Sequence, residues 1–214
     1  SLRSTYTTSH LVAAATGAGL QVLLIEIDDF TLDSEDRLMA IGHQVPRHAT
    51  TPQEVVEAAP GMARGLVDLQ QLDGLLLRNN PVKPTVLDFA RALEARGVVV
   101  LNAPDGLAAG AGKLYIHTLP RSMRPRTVVT RNLRVLEAFR GELDGPGVLK
   151  PVRGFGGKGV RLVRRRETLR LDGAFARSRG TPDGYLVFQE YLEGAEQGDK
   201  RILLVEGEPV GCYT

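Results

Sequence analysis

The segment Val148–Val163, VLKPVRGFGGKGVRLV, constrains this chain more than any other. Gly154, Gly156, Gly157 and Gly159 stand between two short runs of strand-forming residues. Gly154-x-Gly156-x-x-Gly159 has the spacing of a dinucleotide fingerprint, but that fingerprint needs a helix to start at the glycines so that its amides can hold a pyrophosphate. Val160-Arg161-Leu162-Val163 is strand sequence instead, and no GxxxxGK[ST] string occurs. The segment therefore predicts strand, glycine hairpin, strand, with Lys150 ending the first strand. Glycines at such a tip let backbone N–H groups approach phosphate oxygens closely, and Lys150 and Lys158 supply charge. A surface hairpin with solvated lysines has the same sequence.

The surroundings of this hairpin divide in two. Ahead of it the chain alternates like a βα array. Ser9–Ala18 reads as a helix closed by Gly19, and Leu20–Ile27 as a buried parallel strand. Asp33–Asp36 reads as a hairpin turn, with a strand returning over 37–48. The prolines and glycines of 52–70 break any period. Leu72–Arg78, Pro84–Arg96 and Val98–Leu101 then form a strand, helix, strand unit of a parallel sheet. After about residue 120 the pattern changes to short strands with glycine-rich turns, at 126–129, 147–152, 160–163, 184–190, 200–205 and 209–213. Helices are expected at 131–140 and 166–179. The fold class is thus α/β: an N-terminal parallel βα domain over 1–119, then an α+β region with antiparallel sheets over 120–214.

Charge follows the same division. The whole chain is near neutral, with 27 basic and 25 acidic side chains, yet residues 101–170 carry 15 basic and 5 acidic ones. A basic middle third points to a local anionic partner, a phosphate-bearing ligand or a nucleic acid. Arg164-Arg165-Arg166 suits the second, but aromatics are 5% of the chain and Trp is absent, so a stacking platform is lacking. A lone Cys212 cannot form an intrachain disulfide and reads as a small core residue. No Cys/His cluster has zinc spacing, no apolar run suits a membrane span, and no signal pattern opens the chain, so a cytoplasmic location is the default.

Further along, Val187-Phe188-Gln189-Glu190-Tyr191-Leu192 runs off a strand, and Gly198-Asp199-Lys200-Arg201 leads into another. Asp199 and Arg201 fall on one strand face, a pair suited to a ribose or metal–phosphate contact and equally to a structural ion pair. Together, Val148–Gly159, VFQEYL (187–192) and GDKRILLVEGEPV (198–210) resemble the ATP-grasp superfamily, and within it the bacterial glutathione synthetase family. LLLRNNP (75–81), GVVVLNAP (97–104) and Lys113-Leu114 resemble that family's N-terminal and linker segments.

The resemblance implies ATP and Mg²⁺ as cofactors and an ATP-dependent carboxylate–amine ligation through an acyl phosphate, with γ-glutamylcysteine and glycine as small-molecule substrates. It implies that Lys113 and Lys150 contact the nucleotide phosphates under the loop Gly154, Gly156 and Gly157. It further implies that Gln189, Glu190, Tyr191 and Leu192 hold the adenine, and that Asp199 and Arg201 meet the ribose and γ-phosphate. Lys150 and Arg201 take the catalytic positions. Lys113 by itself also reads as a surface lysine. Arg78, after the strand LDGLLL, suits a substrate carboxylate or a surface salt bridge. Against the family pattern, the first strand and the magnesium carboxylates are missing, so the chain reads as part of a longer enzyme with metal ligands beyond residue 214. A homo-oligomer is implied for the full-length protein, with neither nucleic acid nor membrane as partner. The alternative is another ligase of the superfamily, adding amino acids to a peptide or protein terminus.

Overall fold

A computed structural model describes residues 2–79, 83–154, 156–165, 167 and 184–213. The chain forms two compact units, Ser1–Ala109 and Gly110–Thr214.

The first unit opens with α1 (Thr7–Gly17). Gly19 takes φ +84°, and the amides of Gly19 and Leu20 reach back to the carbonyls of Thr16 and Ala15 at 2.9 and 3.1 Å, a Schellman ending. Next come β1 (Leu23–Ile25), β2 (Thr31–Leu32) and β3 (Leu38–Gln44). In the β2–β3 turn the Asp33 carboxylate accepts the Glu35 and Arg37 amides, each at 2.9 Å. The stretch 52–70 resolves into α2 (Pro52–Ala58), closed at its start by a reciprocal Thr51–Glu54 capping box, and β4 (Arg64–Asp68). β1, β2 and β4 all pair antiparallel with β3.

The predicted strand, helix, strand unit is present as β5 (Gly74–Leu76), α3 (Pro84–Glu94) and β6 (Val99–Leu101), with β5 and β6 parallel. Helix α3 buries Val86, Leu87, Ala90 and Leu93 against Leu75, Leu77, Val98 and Val100. Here one expectation needs correction. Leu20–Ile27 is not a buried parallel strand: β1 is half-buried and antiparallel, and among the described residues the parallel arrangement is confined to β5–β6. The physical reason is the connection. A parallel partner needs a long crossover, usually helical, whereas β1 and β3 are joined only through the β2 hairpin.

The second unit begins at the end of α4 (Pro104–Gly110). It contains β7 (Thr127–Thr130), α5 (Leu133–Gly141), β8 (Gly147–Pro151), β9 (Arg161–Val163) and β10 (Leu186–Glu190). Their sheet has the order β7-β10-β8-β9, antiparallel throughout. Asn132 caps α5 by accepting the Arg134 amide at 3.0 Å. Leu133, Leu136 and Phe139 of α5, with Leu143, then pack on Val128, Leu149, Val163, Leu186 and Phe188. Phe188 fills the middle of this core, and Gly147 makes room for it: a Cβ at Gly147 would lie 2.3 Å from the Phe188 ring.

The last hairpin pairs β11 (Arg201–Val205) with β12 (Glu208–Tyr213) around Glu206-Gly207, both at positive φ as a type I′ turn requires. Both strands are exposed along their length. Cys212, expected in a core, is exposed here. The helix expected at 166–179 lies outside the described residues except for Glu167.

Overpacking a dense core costs about 1–3 kcal/mol. Gly147→Ala should therefore destabilise the protein by that amount in denaturant unfolding. Gly145→Ala, where a new Cβ meets nothing within 4 Å, should be nearly neutral. Equal unfolding midpoints for the two variants would contradict the packing of Phe188.

Candidate functional site

Strand periodicity gives the second sheet two different faces. One carries Leu149, Leu186 and Phe188 to α5. The register sets Lys150 opposite Val187 and Gln189 opposite both Val148 and Thr127, so these five residues share the other face. Along it runs a polar row: the Lys150 ammonium donates to Gln189 Oε1 at 2.6 Å, and Gln189 Nε2 donates to Thr127 Oγ1 at 3.2 Å. Gln189 is buried, so both bonds satisfy groups that water does not reach freely.

Lys113 comes to the same place from another element. It opens a 3₁₀ turn over Lys113–Thr118, and its amide donates to the Val152 carbonyl at 2.9 Å. Its ammonium donates to the Gly154 carbonyl, also at 2.9 Å, which ties the turn to the start of the glycine hairpin. Within the hairpin Gly154, Gly156, Gly157 and Gly159 take φ of +129°, +64°, +70° and +74°. Side chains other than glycine rarely adopt these angles. A cavity of about 290 Å³ lies here, lined by Lys113, Tyr115, Ile116, Lys150, Val187 and Gln189 among others.

The electrostatics of this cavity are unbalanced. Burial pushes the Lys150 ammonium below its ordinary pKa of 10.5. Burial also lowers Lys113, and the neighbouring Lys150 charge lowers it further. Neither lysine forms an ion pair with a carboxylate among the described residues. Two partly desolvated cations repelling each other beside a glycine hairpin make a site that an anion would stabilise.

The remaining predicted residues are placed differently. Glu190 Oε1 accepts the Arg126 amide at 2.7 Å and so ties β10 to β7. The Tyr191 hydroxyl donates to Glu196 at 2.5 Å, which raises the phenol pKa, and Leu192 is exposed. Asp199 and Arg201 form an exposed ion pair at 3.3 Å, with the Arg201 guanidinium 5.8 Å from the Tyr213 ring centre. Arg78 belongs to the first unit, on the wall of a separate, largely apolar cavity of about 530 Å³. The structure thus gathers Lys113, Lys150, Gly154 and Gln189 at one place. It adds Tyr115, Ile116, Val187 and Thr127, which sequence reading missed. The signal for Val187 was available, since it shares period-two parity with Gln189; Thr127 needed the register.

Comparison with known proteins bears on the chain as a whole. Residues 112–214 match the family "Prokaryotic glutathione synthetase, ATP-grasp domain". Over 215 residues the chain is 29% identical to the glutathione synthetase of Gloeobacter violaceus, covering 96% of this chain and 64% of that protein. Over 157 residues it is 31% identical to the glutathione synthetase of Vibrio parahaemolyticus, covering 68% of this chain and 46% of that protein. Among solved structures, the RimK domain ATP-grasp protein of Sphaerobacter thermophilus superposes with a TM-score of 0.48 at 19% identity, covering 65% of this chain and 53% of that one. Over residues 112–214 the chain is thus similar to the ATP-grasp superfamily. Within that superfamily its likeness is to the prokaryotic glutathione synthetases, of whose length it spans about half to two thirds.

A bound phosphate favours the ammonium form of both lysines and raises pKa values that start below 10.5. Affinity for ATP or inorganic triphosphate should therefore be level at neutral pH and fall as pH rises through the lowered lysine values. Calorimetry in buffers of different ionisation enthalpy should detect proton uptake on binding in that alkaline window. Binding without proton uptake there would contradict the arrangement.

Proposed function

We propose that this chain is the nucleotide-binding part of an ATP-dependent carboxylate–amine ligase, and that the whole enzyme joins γ-glutamylcysteine to glycine to make glutathione. The observation that carries the reading is the pair Lys113 and Lys150, partly buried, without carboxylate partners among the described residues, beside glycines held at positive φ. The substrates come from the relatives named glutathione synthetase. In such a ligation ATP supplies the phosphoryl group that activates the acyl carboxylate for attack by the amine.

The protein's own share is positional and electrostatic. Lys150, held by Gln189, sets one fixed cation beside the phosphates; Lys113 sets a second and fastens the hairpin through Gly154. In this reading the amides of Gly154, Gly156 and Gly157 donate to the phosphates. Val187 and Ile116, with Gln189, give the cavity walls for a purine ring, and Glu190, Tyr191 and Leu192, which follow Gln189 in the chain, are its further adenine contacts. Asp199 and Arg201 serve the ribose and the γ-phosphate, and Arg78 a substrate carboxylate. For Mg²⁺, no group of three or more His, Cys, Asp or Glu suited to a metal is found among the described residues. None of the described helices is long and apolar enough to cross a membrane.

The nucleic-acid reading of the basic segment loses support, because Arg126 pairs with Glu142 at 3.0 Å and Arg161 with Glu167. In the full-length protein Lys150→Ala should remove a charge-assisted contact of roughly 1.5–3 kcal/mol, a ten- to hundredfold loss in ATP affinity or rate. The assay is ATP-dependent phosphate release with γ-glutamylcysteine and glycine, alongside the melting temperature. An unchanged rate in the folded variant would overturn the phosphate site. Release that needs a peptide acceptor instead of glycine would move the enzyme to the peptide-ligase branch.

A further inference from the structure

The polar row under the cavity continues past Gln189, and its far end fixes the direction of every bond in it. Thr127 Oγ1 lies 2.9 Å from the Pro125 carbonyl and 3.2 Å from Gln189 Nε2. A threonine hydroxyl has one proton to give. The Pro125 carbonyl can only accept, so that proton goes to Pro125 and the hydroxyl oxygen is left to accept. The Gln189 atom facing Thr127 must then be the NH₂ group, which turns Oε1 to the other side. There it meets Lys150, a donor only, at 2.6 Å. Two independent constraints, one at each end, select the same amide orientation.

We propose that Thr127 is a positioning residue for the nucleotide site: its hydroxyl sets the Gln189 amide, and the Gln189 carbonyl in turn aims the Lys150 ammonium. The proposal rests on the reading that Lys150 meets nucleotide phosphate. Register makes the chain of bonds possible, since Thr127 and Gln189 are direct cross-strand partners and Lys150 stands diagonal to Gln189 on the next strand. Burial gives it force. Gln189 is 8% exposed, so an amide turned the wrong way would put NH₂ against the ammonium and set its carbonyl against Thr127 Oγ1, whose one proton is engaged at the Pro125 carbonyl. Thr127 itself does not line the cavity and touches Lys150 only through Gln189. The titratable side chains that line the cavity with Lys150 are Lys113 and Tyr115.

The test is a double-mutant cycle in the full-length protein, with ADP affinity measured by calorimetry. Thr127→Val keeps the shape and removes the acceptor; Thr127→Ser restores it. Thr127→Val should weaken ADP about three- to tenfold, and Thr127→Ser should stay within about twofold of the parent. Combined with Lys150→Ala, Thr127→Val should add little further loss, because its effect passes through Lys150. A merely structural role predicts the opposite: the two losses would multiply, and Thr127→Ser would behave like any cavity-forming change. Should Thr127→Val not fold, Gln189→Met in the same cycle reads the same coupling. If Lys150→Ala weakens ADP while Thr127→Val does not, or if the losses multiply, the positioning role is overturned and the phosphate site stands. If Lys150→Ala leaves ADP affinity unchanged, the phosphate reading itself fails and the positioning role fails with it.

Discussion

Two ammonium groups held in one cavity without a neutralising carboxylate among the described residues set the terms for the rest of the second unit. Charges taken partly out of water normally acquire an opposite partner. Lys113 and Lys150 instead donate to neutral oxygens, the Gly154 carbonyl and Gln189 Oε1, and have their pKa values lowered. Such an arrangement needs the surrounding structure to fix both stems, and an anionic ligand would stabilise it further.

The fixing comes from the sheet. Alternation along β8 and β10 sends Leu149, Leu186 and Phe188 to the α5 core, and sends Lys150, Val187 and Gln189 to the cavity. The same backbone hydrogen bonds therefore carry both core and site. Gly147 shows how closely the two are joined: it gives way to the Phe188 ring on one face, three residues before Lys150 leaves the other. The Asn132 cap and the apolar stripe of α5 hold the core face, and through it the cation.

Much of this was legible in the sequence because some residues carry their own geometry. Glycines at 154, 156, 157 and 159 announce positive φ, and strand sequence on both sides turns a false dinucleotide fingerprint into a hairpin. Gly207, between the strands expected at 200–205 and 209–213, announces its turn in the same way, and Pro84 opens α3. What sequence left out depends on register between distant segments. Thr127 and Gln189 are 62 residues apart, and only the pairing of β7 with β10 brings them together. The direction of β1 was misread for a related reason: an apolar run marks a strand, while its burial depends on what packs over it and its partner's direction is set by the connection. Cys212 was assigned to a core from residue type alone, and the exposed β12 hairpin has no such core around it among the described residues.

A crystal structure of the full-length protein with a non-hydrolysable ATP analogue tests the central claim most directly. The account predicts phosphate oxygens within hydrogen-bonding distance of both the Lys113 and Lys150 ammonium groups, with the Gly154–Gly159 hairpin amides turned toward them and Gln189 Oε1 still accepting from Lys150. An analogue bound elsewhere, or bound with its phosphates away from both lysines, would contradict it.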